Sequence, residues 1–388
     1  EVIRFWDHYL KGINTGLMEE PRLRFWLQDA VPPSSTQTER PGTWVEEGRW
    51  PSNNVETRTL HLNSGTIGDE AEAGPDMAIC SPQTFGSAGG DMCSFAIPGD
   101  MPADCRIDAG GGLVFRAPVL EAPLDVLGQP ALTVSLKADK PQAFVAALLI
   151  DEAPDGAQTL ITRGFANLMH RNSDTMPEPV VPGEEMTVTV AFHGIGYRLP
   201  AGHRLMVQIG STYWPILWPA PEPVTLTLAP GASILALPVR RATNEAPRVL
   251  PVPENPKDDP PVSQVRAGSM DRSIKTDLTT GEHITRFFLD GGVFGPVGRI
   301  RLEETGTEMA EVSERLYRIH PDDSLSAVAT MEQESHYERG DWSARIKTTA
   351  RMTASTDTFH LEASVECWNG DDPFHSITWT HDIPRNGM

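Results

Sequence analysis

The chain has 388 residues, enough for two or three domains with sizeable cores, and a formal net charge of −21. So acidic a chain repels nucleic-acid phosphates and anionic lipid surfaces, which argues against both as general ligands. No apolar run approaches the roughly 20 residues that cross a bilayer, and no basic segment followed by an apolar stretch marks a signal peptide, so neither a membrane nor a nucleic-acid partner is expected.

EVIRFWDHYLKG (1–12) opens the chain, with apolar residues at Val2, Ile3, Phe5, Trp6, Tyr9, Leu10 and Ile13. This is the spacing of one helix face, and Gly12 is a stop signal. RLRFWL (22–27) sets Leu23, Phe25 and Leu27 against Arg22, Arg24 and Trp26, and VETRTLHL (55–62) follows the same period of two, so both read as strands. Residues 63–112 are rich in Gly, Asp and Pro and read as a long irregular excursion, a kind of loop that is often functional.

Strands then come at regular spacing: GLVFRAP, PALTVSLKA, AFVAALLID, TLITRGFANLMH, EMTVTVAFH, HRLMVQIGSTYW, PVTLTLAP and SILALPVR. APDG (153–156) and APGA (229–232) supply turn chemistry between them. The pattern predicts an antiparallel sandwich, with a jelly roll as its expected form. Residues 244–263 hold six prolines and no periodicity, the mark of an extended linker or strap. Beyond them, seven alternating runs from HITRFFLD to HSITWTHDI predict a meander of long strands with one apolar face. The expected fold is therefore all-β: a jelly-roll-like sandwich over 21–243, a linker over 244–263 and a second antiparallel β domain over 264–388, preceded by a helical segment over 1–20.

Cys80, Cys93, Cys105 and Cys367 form no CxxC and no disulfide scaffold. Reduced cysteines in a cytoplasmic protein are the expectation, with one bridge among Cys80, Cys93 and Cys105 left open. No G-x-S-x-G elbow occurs; FGSAGG (85–90) has Phe85 where the first Gly belongs. HExxH, HxH, Walker A and dinucleotide patterns are absent as well. His375 and His381 share a strand face but stand roughly 20 Å apart, too far for a shared ion. Asp7 beside His8 and His381 beside Asp382 point in different directions. No catalytic residue, metal site or cofactor is expected. AGHRLMVQIGSTYWPILWPAPEPV (201–224) carries Tyr213, Trp214 and Trp218, either aromatics on a sandwich rim that stack on a sugar or anchors at an interface.

Several motifs in one order resemble the C-terminal part of α/β-hydrolases in the X-prolyl dipeptidyl-peptidase and cocaine-esterase family. FWDHYLKGINTG (5–16) resembles the helix after the hydrolase domain, and residues 123–171, with the DEAPDG hairpin and Arg171, resemble the jelly-roll core strands. LPAGHRLMVQIGS (199–211) resembles the signature near the sandwich's end, and 341–386 is similar to the C-terminus of longer bacterial members. The resemblance implies a Ser-His-Asp triad on an N-terminal domain, with all three residues upstream of Glu1. It also implies that PQTFGSAGGD (82–91) helps wall the substrate pocket, with Thr84 and Phe85 as the wall residues.

The leading expectation is a non-catalytic accessory region of a serine hydrolase, inactive by itself. It would complete the substrate pocket, stabilise the parent and pair subunits through the N-terminal helix. A free-standing carbohydrate- or ligand-binding sandwich is the alternative, and a hydrolase with an unfamiliar site the third. Phe5, Trp6, Tyr9 and Leu10 are expected to have faced the upstream domain, so that here the helix is expected to contact a second molecule or to be poorly ordered.

Overall fold

The AFVAALLID run becomes Phe144–Glu152, a strand buried at every position after the first. A near-continuous apolar strand of this kind needs cover on both faces. A computed structural model describes residues 2–241, 249–250, 261–292 and 295–387 and shows how both are met. Phe144–Glu152 lies between Gln158–Asn167 and Arg204–Gly210 in a four-stranded sheet completed by Leu113–Arg116. Val145, Leu149, Val207 and Ile209 point from it into a core shared with Leu132, Val134, Leu235 and Leu237 of a larger sheet. That larger sheet has eleven strands among the described residues. Ala131–Ala138 and Ser233–Arg240 lie at its centre, and its one parallel strand pair there joins Leu23–Asp29 to Ile195–Leu199.

The two flagged turns carry positive-φ glycines where a side chain would be strained. Gly156 has φ 85°, and the Asp155 carboxylate accepts the Ala157 amide at 3.0 Å. Gly231 has φ 80° and sits where a Cβ would come within 2.8 Å of the Glu72 carbonyl.

The third sheet holds nine strands among the described residues and is antiparallel throughout. Its longest strands are Thr307–His320 and Asp323–Arg339. The strand Asp372–Pro384 forms one edge and is exposed along its whole length. The Pro-rich segment expected over 244–263 falls largely outside the described residues. The third sheet packs on the exit of the sandwich, where Trp214 meets Ile319 and Ala327.

The expected strand at 22–27 runs over Leu23–Asp29, and the one at 55–62 over Val55–Leu62. The excursion at 63–112 is mostly loop but includes Met77–Cys80, paired to Thr225–Leu228, and a short helix Arg106–Ala109. All four cysteines are free, so the bridge left open among Cys80, Cys93 and Cys105 is not formed. No helix among the described residues is long and apolar enough to cross a membrane.

The opening helix spans Val2–Lys11, buries none of its residues, and gives way to Gly12 at φ 65°. Arg4 ties it down, donating to the Thr15 carbonyl at 3.1 Å and to Glu20 at 2.6 Å. Its apolar stripe stays open: Ile3 is 75% exposed and Leu10 74%.

One buried ion pair joins the edge strand Gly42–Glu47 to the central strand Ser233–Arg240. Arg240 donates to Glu47 at 2.7 Å, with both side chains at most 4% exposed. Burial alone would raise the Glu47 pKa, yet Ser52, Arg240 and Asn54 together hold it below the ordinary value. Removing one partner strands a buried charge. Arg240→Met is therefore expected to lower unfolding free energy by about 3–5 kcal/mol in urea titrations, and adding Glu47→Leu to recover part of the loss.

Candidate functional site

The outer face of the four-stranded sheet is apolar too, presenting Ala146, Leu148, Ile150 and Met206. The excursion covers it. Phe85 drops its ring into a slot floored by glycines and is 1% exposed. A Cβ on Gly210 would come within 2.5 Å of that ring, and one on Gly112 within 2.9 Å. Tyr213 packs edge-on beside it, with ring centres 5.9 Å apart, and presses against Gly89, where a Cβ would come within 2.3 Å of the phenol oxygen. Bare backbone is the only way to bring chain and rings this close.

Two charged residues hold the loop around this plug. The Asp108 carboxylate accepts the amides of Gly86 at 3.1 Å and Ala88 at 3.2 Å. Burial pushes its pKa up to about 6, against the pull of those hydrogen bonds. Arg163 reaches out from the small sheet and donates to the carbonyls of Gly89 at 2.5 Å and Asp91 at 2.8 Å, its guanidinium 5.7 Å from the Tyr213 ring centre. Thr84 is left half-buried on the same turn, between Phe85 and Gln83, whose amide donates to the Pro321 carbonyl of the third sheet at 2.8 Å. Of the two residues expected to wall a pocket, Phe85 thus anchors the loop from inside and Thr84 sits nearer its surface.

The expected aromatics are brought together, with their faces turned inward. Tyr213 and Trp214 are at most 1% exposed. Trp214 packs on Trp218 at 5.6 Å and Tyr317 at 6.1 Å, and Trp218 on Phe359 at 6.2 Å. A buried ring has no free face for a sugar, so the rim-stacking alternative loses Tyr213 and Trp214. The cluster fastens the third sheet to the sandwich, helped by Arg385, which donates to the Pro219 carbonyl at 2.6 Å.

A polar triad went unread in the sequence. Asp151, 2% exposed, binds His203 Nδ1 at 2.8 Å and accepts the Tyr197 hydroxyl at 2.9 Å. Burial first, then the Asp151 charge, raise the phenol pKa, so Tyr197 stays a neutral donor. The DEAPDG and AGHR stretches both carried a signal, but only the pairing of Leu205 with Asp151 puts them side by side. No group of three or more His, Cys, Asp or Glu among the described residues is arranged to hold a metal ion.

Residues 15–248 match the family model of the X-Pro dipeptidyl-peptidase C-terminal non-catalytic domain. The match covers more than half of the chain, which belongs to this family. Among curated proteins it is similar to the cocaine esterase of Rhodococcus sp., 22% identical over 226 residues, covering 54% of this chain and 37% of the relative. It is similar too to a protein assigned as an Xaa-Pro dipeptidyl-peptidase in Bacillus anthracis, 24% identical over 217 residues, covering 54% and 32%. The chain thus spans about a third of the length of these relatives. Among solved structures, an α-amino acid ester hydrolase aligns over 62% of this chain and 44% of its own, at 18% identity and a TM-score of 0.47.

Two variants test the loop plug. Phe85→Ala is expected to cost about 3–5 kcal/mol by opening a cavity under the loop, read as a lower urea midpoint. Asp108 supplies a pH test. Its raised folded pKa adds stability that is full below the ordinary value of 3.8 and is lost as pH rises through about 6. The stability of the wild type relative to Asp108→Asn is therefore expected to fall by about 2 kcal/mol between pH 4 and 7. A flat difference would show that Asp108 does not titrate there.

Proposed function

We propose that this chain is the C-terminal accessory region of a serine hydrolase acting on esters, amides or X-Pro peptides, and that its catalytic triad lies on a preceding α/β-hydrolase domain. The observation that carries the reading is the family match over 15–248, since that family is described as the non-catalytic part of such an enzyme. The plugged excursion supports a role at the substrate pocket. Phe85 fixes the loop rigidly from below, so the turn through Thr84 can present a defined surface to a neighbouring domain.

The exposed stripe of the opening helix fits the same reading. Phe5 and Trp6 contact each other at 5.0 Å, and Phe5 and Tyr9 at 4.7 Å, forming an aromatic patch whose rings are all exposed. Exposed patches of this kind mark interaction surfaces, and here the hydrolase domain is the proposed occupant. Residues 21–243 and 264–388 are proposed as the sandwich and the second β domain, and the cytoplasm as the setting.

The purified chain is expected to hydrolyse p-nitrophenyl acetate no faster than background. Robust turnover abolished by a serine-directed inhibitor would overturn the accessory role. The reading frame upstream of Glu1 is expected to encode a G-x-S-x-G elbow followed by Asp and His, and a frame without them would remove the proposed parent.

A further inference from the structure

The third sheet ends on one long open strand. Asp372–Pro384 pairs with Thr358–Asn369 on one side, and no strand among the described residues pairs with the other. All 13 of its residues are exposed. In an antiparallel sheet every second residue of such an edge aims its N–H and C=O outward, a template for another strand. The opposite side of the sheet is guarded against such pairing. Val262–Arg266 is short and bulged between Gln264 and Arg266, and Met270–Thr276 carries Asp271, Arg272 and Lys275.

Asp372–Pro384 lacks these guards over most of its length. Its bulge and Pro373 lie at its start, and Pro384 closes its end. Between them HSITWTHDI (375–383) has no Pro, Gly, Lys or Arg and is rich in the β-branched and aromatic residues that favour strands. Its one carboxylate, Asp382, stands 2.7 Å from His360 Nδ1 of the neighbouring strand. One face of the stretch is largely apolar. Ile377 lies opposite Val365, Trp379 opposite Ala363 and Ile383 opposite Phe359, and Phe359 packs on Trp218 of the sandwich exit. The face that fastens the sheet to the sandwich thus extends to the free edge, where Trp379 is 39% exposed and Ile377 37%.

We propose that this edge pairs antiparallel with the same strand of a second copy, joining two third sheets into one across a two-fold axis at Trp379. The stretch is self-complementary in the register that overlaps it fully. Trp379 then faces its own counterpart, Thr378 faces Thr380, Ser376 faces Asp382, and Ile377 and Ile383 face His381 and His375. Paired threonines and a hydroxyl opposite a carboxylate favour cross-strand contact, and no charge meets its like. An axis at Thr378 would draw Pro373 into the ladder, and one at Ile377 would set Asp382 against Asp372. Two-fold symmetry supplies the match in a second copy with no further complementarity. The strand lies beyond the 15–248 match, so the pairing stands apart from the hydrolase reading.

Sedimentation velocity of the full chain is the test. One strand pair buries less than the roughly 1,600 Å² of a standard interface, so a dimer with a dissociation constant of about 1–100 μM is expected. Each copy carries a net charge of −21, so raising salt from about 0.05 to about 0.5 M is expected to tighten the dimer. Trp379→Lys sets two ammonium groups face to face at the axis and is expected to weaken pairing at least about tenfold, and Thr380→Lys at least about threefold. In a Cys80→Ser/Cys93→Ser background, which removes the exposed thiols, Trp379→Cys is expected to cross-link the dimer under mild oxidation. Ile377→Cys is not, since its counterpart lies more than about 13 Å away along the strand. A chain that stays monomeric at about 200 μM in about 0.5 M salt would overturn the proposal. So would a dimer loosened by salt, or one that both lysine variants leave intact, which would place the contact elsewhere. Cross-linking through Ile377→Cys and not Trp379→Cys would overturn the register. If Trp379→Lys does not fold, Thr380→Lys and the cross-link decide the outcome.

Discussion

A four-stranded sheet that is apolar on both faces governs the architecture. Its inner face is met by the larger sheet, as in any sandwich. Its outer face carries Ala146, Leu148, Ile150 and Met206 and is covered by Phe85, Cys105 and Tyr213, two of them from the excursion. Covering that face removes apolar surface from water, which favours the ordered state of a segment otherwise rich in Gly, Asp and Pro. The ordering is specific because a single ring does the plugging. Phe85 fits only where Gly112 and Gly210 leave backbone bare, and once it is seated, Asp108 and Arg163 can satisfy the polar groups of the loop around it.

From that plug the rest of the molecule follows in steps. Trp214 donates its amide to the Phe85 carbonyl at 2.8 Å, so the loop position sets the path of the sandwich's exit. The exit carries Trp214 and Trp218 into the third sheet, against Tyr317 and Phe359. The third sheet returns the contact through Arg272 and Arg315, which meet Asp91 on the loop. Sheet, loop and meander are thus one circuit of contacts.

Strong alternation was legible in the sequence. Val55–Leu62 and the long meander strands repeat every two residues, and the positive-φ glycines at 156 and 231 fall in turns whose composition announced them. Strands with weaker patterning escaped notice. Gly42–Glu47 and Ile195–Leu199 begin with or contain Gly, and Met270–Thr276 is largely polar and exposed. Each is held in place by neighbours: Ile195–Leu199 by Leu124–Gly128 on one side and Leu23–Asp29 on the other. At the site, Phe85 stood out by position and the Trp pair by composition. Asp108, Arg163 and Arg272 did not, because a lone charge in any segment looks like a solvated residue until its neighbours are known.

What the sequence determined by itself was the material: an all-β chain, an amphipathic opening helix with a sticky stripe, a loop of glycines and prolines, and a set of motifs in family order. Those properties are local, set by side-chain periodicity and turn chemistry within a few residues. Only the tertiary structure decided which way the aromatics face, that Phe85 is seated beneath the loop, and that Asp151 meets His203. The same holds for Arg272, which meets Asp91 where the loop joins the third sheet. These are outcomes of register and burial between segments far apart in the chain, such as Asp91 and Arg315, 224 residues apart. Partners at such separation leave no periodic mark in the chain that folds to bring them together.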